Sequence, residues 1–184
     1  MLKNAKEVFA ESLEKMLKKK TLDHVTVKDI VQDCGVSRQA FYYHFNDIYQ
    51  LVEWIFKEQT FEALADNKDI NTWQQGYHNI LERMRQNRNF VYNVYRSISR
   101  EYLETFMYRV LYEIIYPVVE DQSKGLIVDD KYKEFIAHFY SLAVVAIGMD
   151  WIRTGMKENP GEIAEKVAVL VKGDFKKALM KYSK

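Results

Sequence analysis

One cysteine, two prolines and seven glycines in 184 residues leave little of what shapes a cross-linked or turn-rich domain. The lone Cys34 excludes an internal disulfide framework and suits a reducing compartment. Scarce proline and glycine leave long stretches without helix breakers. Neither sign of charge prevails: 27 Lys and Arg stand against 26 Asp and Glu, a net charge of +1, so composition provides no general polyanion surface and no acidic tail. Long apolar runs are missing too. The longest charge-free stretch, Phe135 to Met149, contains His138 and falls short of the roughly 20 residues that span a bilayer. The opening MLKNAKEVFAESLEK mixes charges through its apolar positions, unlike a secretion signal. A cytoplasmic protein with no membrane segment is expected.

Reactive constellations are also absent. His24, His44, His78 and His138 are scattered without metal-ligand spacing, and neither a glycine-rich phosphate loop nor a nucleophile elbow occurs. No catalytic, metal or cofactor site is expected, and the chain reads as a non-enzyme. A purely structural helical interaction protein is the competing non-enzyme reading.

What is present is helical patterning. With 48% hydrophobic and 29% charged residues, the chain can bury one sizeable core, or a small head on a larger body. Its apolar residues recur mostly every three or four positions, which predicts an all-α fold. Leu2, Ala5, Phe9, Leu13 and Met16 form one stripe of a first helix that ends near Lys18-Lys19-Lys20. Thr26 and Asp29 fit a capping box for a short second helix with Val27, Ile30 and Val31 inward. Gly35 can stop that helix in the left-handed conformation, and Ser37 can cap the next.

The third helix, about Arg38 to His44, then turns Val36, Ala40, Phe41 and Phe45 toward the first two, leaving Arg38, Gln39, Tyr42, Tyr43 and His44 wholly or partly outward. Two short helices joined by a glycine turn make a helix-turn-helix, whose second helix enters the major groove of DNA. There Arg can pair with guanine and Gln with adenine, while tyrosine hydroxyls and an imidazole can hold phosphates. Local charge agrees: Cys34 to Asn46 contains Arg38 and no acid. The same rings would also serve as half-buried packing in a bundle.

TVKDIVQDCGVSRQAFYYHF, Thr26 to Phe45, resembles the signature of TetR-type transcriptional regulators. The resemblance implies a homodimer of about nine helices, with a DNA-binding head over residues 1–46 and a sensing and dimerisation body over 47–184. By that likeness, Thr26 and Lys28 touch phosphate, Arg38, Gln39, Ala40 and Tyr42 lie at or near the bases, Tyr43 and His44 grip the backbone, and Ser37 belongs to the same DNA-binding set. Family members often open the fourth helix with a phosphate-binding lysine. Here Ile48 stands in FNDIYQL, so that contact is not expected.

Residues 47–66 read as one helix coupling head to body through Leu51, Trp54, Ile55, Phe56 and Leu64, followed by the polar break ADNKDIN. Helices are expected over Thr72 to Arg88, a short segment after it, and from Glu101 up to or slightly past Pro117, with a mobile loop over Val118 to Asp130. Lys131 to Met156 and Glu162 to Tyr182 supply the last two. Ala143, Ala146 and Gly148 would permit close approach there and Phe139, Leu142 and Ile147 would supply area, either between subunits or within a monomer core. Pairing through these two helices would match a palindromic operator. Trp73, Tyr77, Tyr92, Tyr95, Tyr108, Tyr112, Tyr116 and His138 could line an effector pocket, or fill a dry core. LVEWIFKE and DWIRTGMKENPGEIAEKV are similar to the branch related to dihydroxyacetone kinase regulators. That likeness implies sensing through a partner protein as an alternative to an internal pocket, and activation as well as repression.

Overall fold

The structure, a computed structural model, describes residues 4–64, 72–171 and 173–183. The expected contribution of Leu2, the polar break over 65–71 and the end of the 47–66 helix lie outside the described residues. Those described form ten α-helices and one 3-10 turn, Leu22–His24, with no strand among them. The all-α expectation holds. One helix more than the nine arises because the last divides at Gly173, whose φ of 77° is left-handed.

α1 (Ala5–Leu17), α2 (Val27–Cys34) and α3 (Arg38–His44) build the head. Asn4 and Glu7 cap α1 reciprocally, and the helix buries Phe9, Ala10, Leu13 and Leu17. Ala5 is exposed and Met16 only half-buried, so the inward stripe is rotated from the expected one. The Thr26 hydroxyl accepts from Asp29 N at 3.2 Å while the Asp29 carboxylate accepts from Thr26 N at 2.8 Å. The Thr26 hydroxyl also holds the Asp29 carboxyl below the usual carboxylate range. Gly35 has φ 68°, and the bond from Val36 N to Val31 O at 3.0 Å closes the end of α2. Ser37 Oγ accepts from Ala40 N at 3.2 Å and starts α3.

α4 (Ile48–Leu64) begins where Asp47 Oδ1 accepts from Gln50 N at 2.8 Å. Its Leu51, Val52 and Ile55 join a continuous core running from Phe9 in the head to Leu179 near the end of the chain. The body adds α5 (Trp73–Gln86), α6 (Arg88–Ser97), α7 (Arg100–Gln122), α8 (Asp130–Arg153), α9 (Pro160–Val171) and α10 (Asp174–Tyr182). α7 continues well past Pro117 because Val118 and Val119 are buried, which corrects the expected loop to the short stretch before α8. α8 is long and apolar enough to cross a membrane by length and composition, but its Ile136, Ala137, Ser141, Val145 and Met149 row is buried in the bundle. Gly148 also faces inward, where an added Cβ would lie 3.7 Å from Met107 Cε.

Head and body meet through specific polar contacts. Asn93 Nδ2 donates to Leu17 O at 2.6 Å, Gln59 Nε2 to Glu14 Oε1 at 2.6 Å, and Ser97 Oγ to Asp23 Oδ1 at 3.3 Å. The head is packed on the body, as the lack of a linker predicts.

Candidate nucleic-acid interface

Each face of α3 has a separate task. Phe41 is fully buried and Phe45 nearly so, both against Phe9 of α1, with ring centroids 5.3 and 6.4 Å apart. Arg38, Gln39, Tyr42 and Tyr43 are exposed, Tyr43 at 84% of its surface. A large ring left so open gains nothing from the core, and it shares α3 with an arginine that has no ion-pair partner among the described residues, as suits a groove-reading helix. Ala40 is half-buried, a small residue that lets the helix backbone come close to a partner. His44 is also half-buried, its ring 5.0 Å from that of Tyr43 and 6.3 Å from that of Phe9. It is therefore held to the head more than Tyr42 and Tyr43 are. Ser37 is exposed, with its hydroxyl engaged in capping.

The second helix contributes at its start. Thr26 and Lys28 are exposed there, with Thr26 both capping and outward. Capping and phosphate contact are thus compatible at this residue. Val36, grouped with the inward residues by its position, is 41% exposed and sits on the turn. Ile48 is half-buried against the core, so no cation stands at the first position of α4.

This order of caps, turn and exposed helix coincides with a family match. The family described as "Bacterial regulatory proteins, tetR family" matches residues 2–55, and the one described as "Transcriptional regulator C-terminal region" matches residues 71–173. The chain belongs to the TetR family. It is a DNA-binding transcriptional regulator with a sensing carboxy-terminal body, and not an enzyme. Regulators of the TetR family bind operator DNA, typically act as dimers and are typically cytoplasmic.

Two curated relatives belong to the same class. The "HTH-type dhaKLM operon transcriptional activator DhaS" of Lactococcus lactis subsp. lactis (strain IL1403) is 25% identical over 151 residues, which is 81% of this chain and 80% of DhaS. The "Uncharacterized HTH-type transcriptional regulator YxbF" of Bacillus subtilis (strain 168) is 24% identical over 93% of this chain, which spans 46% of YxbF. Among solved structures, a dihydroxyacetone kinase operon activator DhaS superposes with TM-score 0.68 at 21% identity, covering 98% of both chains. The fatty acid degradation regulator FadR from Bacillus halodurans gives 0.63 at 12% identity, covering 94% of this chain and 97% of that one.

The TetR-type body separates the eight residues expected to line one pocket. Trp73 and Tyr77 reach an apolar seam among α4, α5, α7 and α8, where two cavities of about 60 Å3 each meet at Tyr77. Tyr77 is buried, and its hydroxyl has no hydrogen-bond partner among the described residues. Burial alone pushes that phenol well above its usual pKa. Tyr95 borders a smaller apolar void beside Met149 and Ile152. Tyr92 turns to a polar groove beside the head. Tyr108, Tyr112 and Tyr116 run along one face of α7, successive centroids 5.7 and 5.6 Å apart, and Tyr108 Oη lies 2.9 Å from Nδ1 of the exposed His138. This ladder lines none of the cavities above. Sequence reasoning missed Phe56, Met84, Phe106 and Leu111 as seam residues, because their helical spacing is that of any core position.

Proposed function

We propose that the chain acts as a homodimer that binds a palindromic operator through α3 and changes its operator affinity when the body receives a signal. The observation that carries the reading is the division of α3, with Phe41 and Phe45 anchored on Phe9 and Arg38, Gln39, Tyr42 and Tyr43 exposed. Thr26, Lys28, Tyr43 and His44 hold backbone phosphates; Arg38, Gln39 and Tyr42, with Ala40 allowing close approach, meet base edges. Ser37 fixes where the helix begins. The head spans residues 1–46 and the body 47–184, within the cytoplasm.

Pairing uses the outer faces of α8 and α9. Phe135, Phe139 and Leu142 on α8 and Val169 and Leu170 on α9 are exposed, an apolar area that a second copy would cover. A two-fold axis there sets the two α3 helices on successive major grooves, about 34–36 Å apart. α4 transmits the signal, since its own side chains bond to both parts: Gln59 to Glu14 of α1, Glu53 to Arg109 of α7 at 2.7 Å.

The signal enters at the Tyr77 seam. An apolar effector carrying one hydrogen-bond acceptor would satisfy the unbonded phenol, and the seam would open to admit it, since the two small cavities lie below the several hundred Å3 usual for a ligand site. That same smallness favours a second reading, in which a partner protein binds the body surface and the chain activates transcription, as the name of the relative DhaS describes for that protein.

Selecting bound sequences from random DNA, then measuring affinity by fluorescence anisotropy across a salt series, tests the proposal. A palindromic site with a steep salt slope supports it. Equal affinity for every sequence would refute it.

A further inference from the structure

Away from the recognition surface and the Tyr77 seam, the head and body enclose a strongly basic groove of about 730 Å3. Lys18, Lys19 and Lys20 at the carboxyl end of α1 line it together with Arg88 and Arg96 of α6 and Arg153 at the end of α8. None of its other lining residues is acidic. Six cations around one acid-free hollow contrast with a chain whose net charge is +1. Two of them are answered at the margin, Lys20 by Asp29 at 3.6 Å and Arg153 by Asp150 at 2.6 Å. Among the described residues, no carboxylate lies within 4.0 Å of the charged nitrogens of Lys18, Lys19, Arg88 or Arg96.

Helix ends explain part of this gathering. α1, α6 and α8 each carry a groove cation in or just past their last turn, where roughly half a negative charge resides on the free carbonyls. Three such partial charges leave most of six unit charges unbalanced. The arginines are also pre-set. Both guanidinium carbons lie over the Tyr92 ring, 5.3 and 5.6 Å from its centroid, so one aromatic ring orders two planar forks about two turns apart on α6. Gly155, whose φ of 97° favours glycine, borders the ring: an added Cβ would touch Tyr92 Oη at 3.5 Å, an ordinary contact. Ordered forks beside flexible ammonium groups are the donor set that receives phosphate oxygens, in several directions at once.

We propose that this groove binds a small polyphosphate or multiply phosphorylated ester, free in solution, carrying three or more negative charges. Its volume exceeds that of one simple ion, and its walls come from both parts of the protein. A bound polyanion would bridge Lys18 and Lys19 of the head to Arg88 and Arg96 of the body, fixing α1 against α6. Operator affinity and anion affinity are then linked, each changing the other by the same factor.

Sodium tripolyphosphate, titrated calorimetrically into the full chain at constant ionic strength, is the probe. Saturable binding with Kd below about 1 mM is expected, with inorganic sulfate at least about tenfold weaker. The double variant Arg88→Gln/Arg96→Gln, and separately Lys18→Gln/Lys19→Gln, weaken binding at least about tenfold. Tm and anion-free operator affinity stay unchanged in both, and Arg38→Gln leaves tripolyphosphate binding intact. Absence of saturable binding, or full binding by both double variants, overturns the proposal. Weakened operator affinity in those variants without tripolyphosphate also overturns it, assigning the groove to the DNA backbone. Loss of operator binding by wild type would instead sink the regulator reading, while leaving the calorimetric result to stand alone.

Discussion

The ring of Phe9 meets that of Phe41 edge-on, centroids 5.3 Å apart and planes inclined at 66°, with both side chains sealed from solvent. This contact, with those of His44 and Phe45 on the same Phe9 ring, ties α1 to a helix only seven residues long. So short a helix has little stability of its own, and its position comes from the rings beneath it. Phe41→Ala should cost about 3–5 kcal/mol, as for other buried phenylalanines. Urea unfolding followed by circular dichroism measures it, and operator binding should vanish along with the ordered head.

Outward residues should behave in the opposite way. Tyr42 is 54% exposed and Arg38 has no protein partner among the described residues, so Tyr42→Ala or Arg38→Ala leaves the unfolding midpoint in place. Operator affinity should fall by about 1–3 kcal/mol, with relaxed preference at the base that the residue meets. Anisotropy titration on matched and single-base-changed operators reads both effects.

Why the sequence reveals one part of this and hides another depends on the range of the interactions. The caps at Thr26–Asp29 and Ser37 and the turn at Gly35 are bonds within three to five residues, so residue order contains them. Val36 sits on the turn, where helical phase is undefined, and it is exposed despite its apolar type. Pro117 looks like a stop until the burial of Val118 and Val119 outweighs one lost backbone bond. Gly148 suits close approach between subunits by its size, yet it serves α7 within the chain. Spacing of four aligns Tyr108, Tyr112 and Tyr116 correctly, but period does not state depth. The basic groove joins residues far apart in the chain, and only the Lys18-Lys19-Lys20 run of its six cations is adjacent in sequence.

Glu14 marks the seam between head and body and makes stability depend on pH. Burial raises its pKa, outweighing the attraction of Arg83 and Lys18 and the hydrogen bond from Gln59. The folded state therefore keeps this proton to a higher pH than the unfolded chain, which loses it near about 4.3. Between the two values the folded state binds more protons, so this residue's contribution favours folding at low pH and is lost as pH rises through the folded value. Glu14→Gln, which can still accept from Gln59, should stabilise the protein at pH 7 and flatten the change of the urea midpoint as pH rises above about 4.3. A lower midpoint at pH 7 would show that the charge is favoured by its cationic neighbours instead.

Tyr77 offers a test within the body. Its buried hydroxyl finds no partner among the described residues, a situation that costs about 1–3 kcal/mol relative to a bonded or apolar group. Tyr77→Phe should thus raise stability by about 1 kcal/mol without effector. An effector that uses the phenol would bind this variant more weakly while operator affinity without effector stays the same. Thermal melting and operator titration separate the two effects, and a destabilised variant would reveal a partner for the hydroxyl.

Subunit pairing has the most direct consequence for DNA binding. Phe139 is 58% exposed and Leu142 48% exposed on one face of α8, while the opposite face is closed by Ile136, Val145 and Met149. Phe139→Asp places a charge where a second copy would bury it, and a desolvated unpaired carboxylate costs several kcal/mol at each of two symmetry-related positions. Within the monomer the same side chain stays in water, so helix content and the unfolding midpoint measured at low concentration should change little. Sedimentation velocity should find single subunits at micromolar concentration. Operator affinity should drop by about 100-fold or more, because the second half-site then binds independently rather than at high effective concentration. A variant that stays dimeric with full operator affinity would move the pairing surface away from this face of α8.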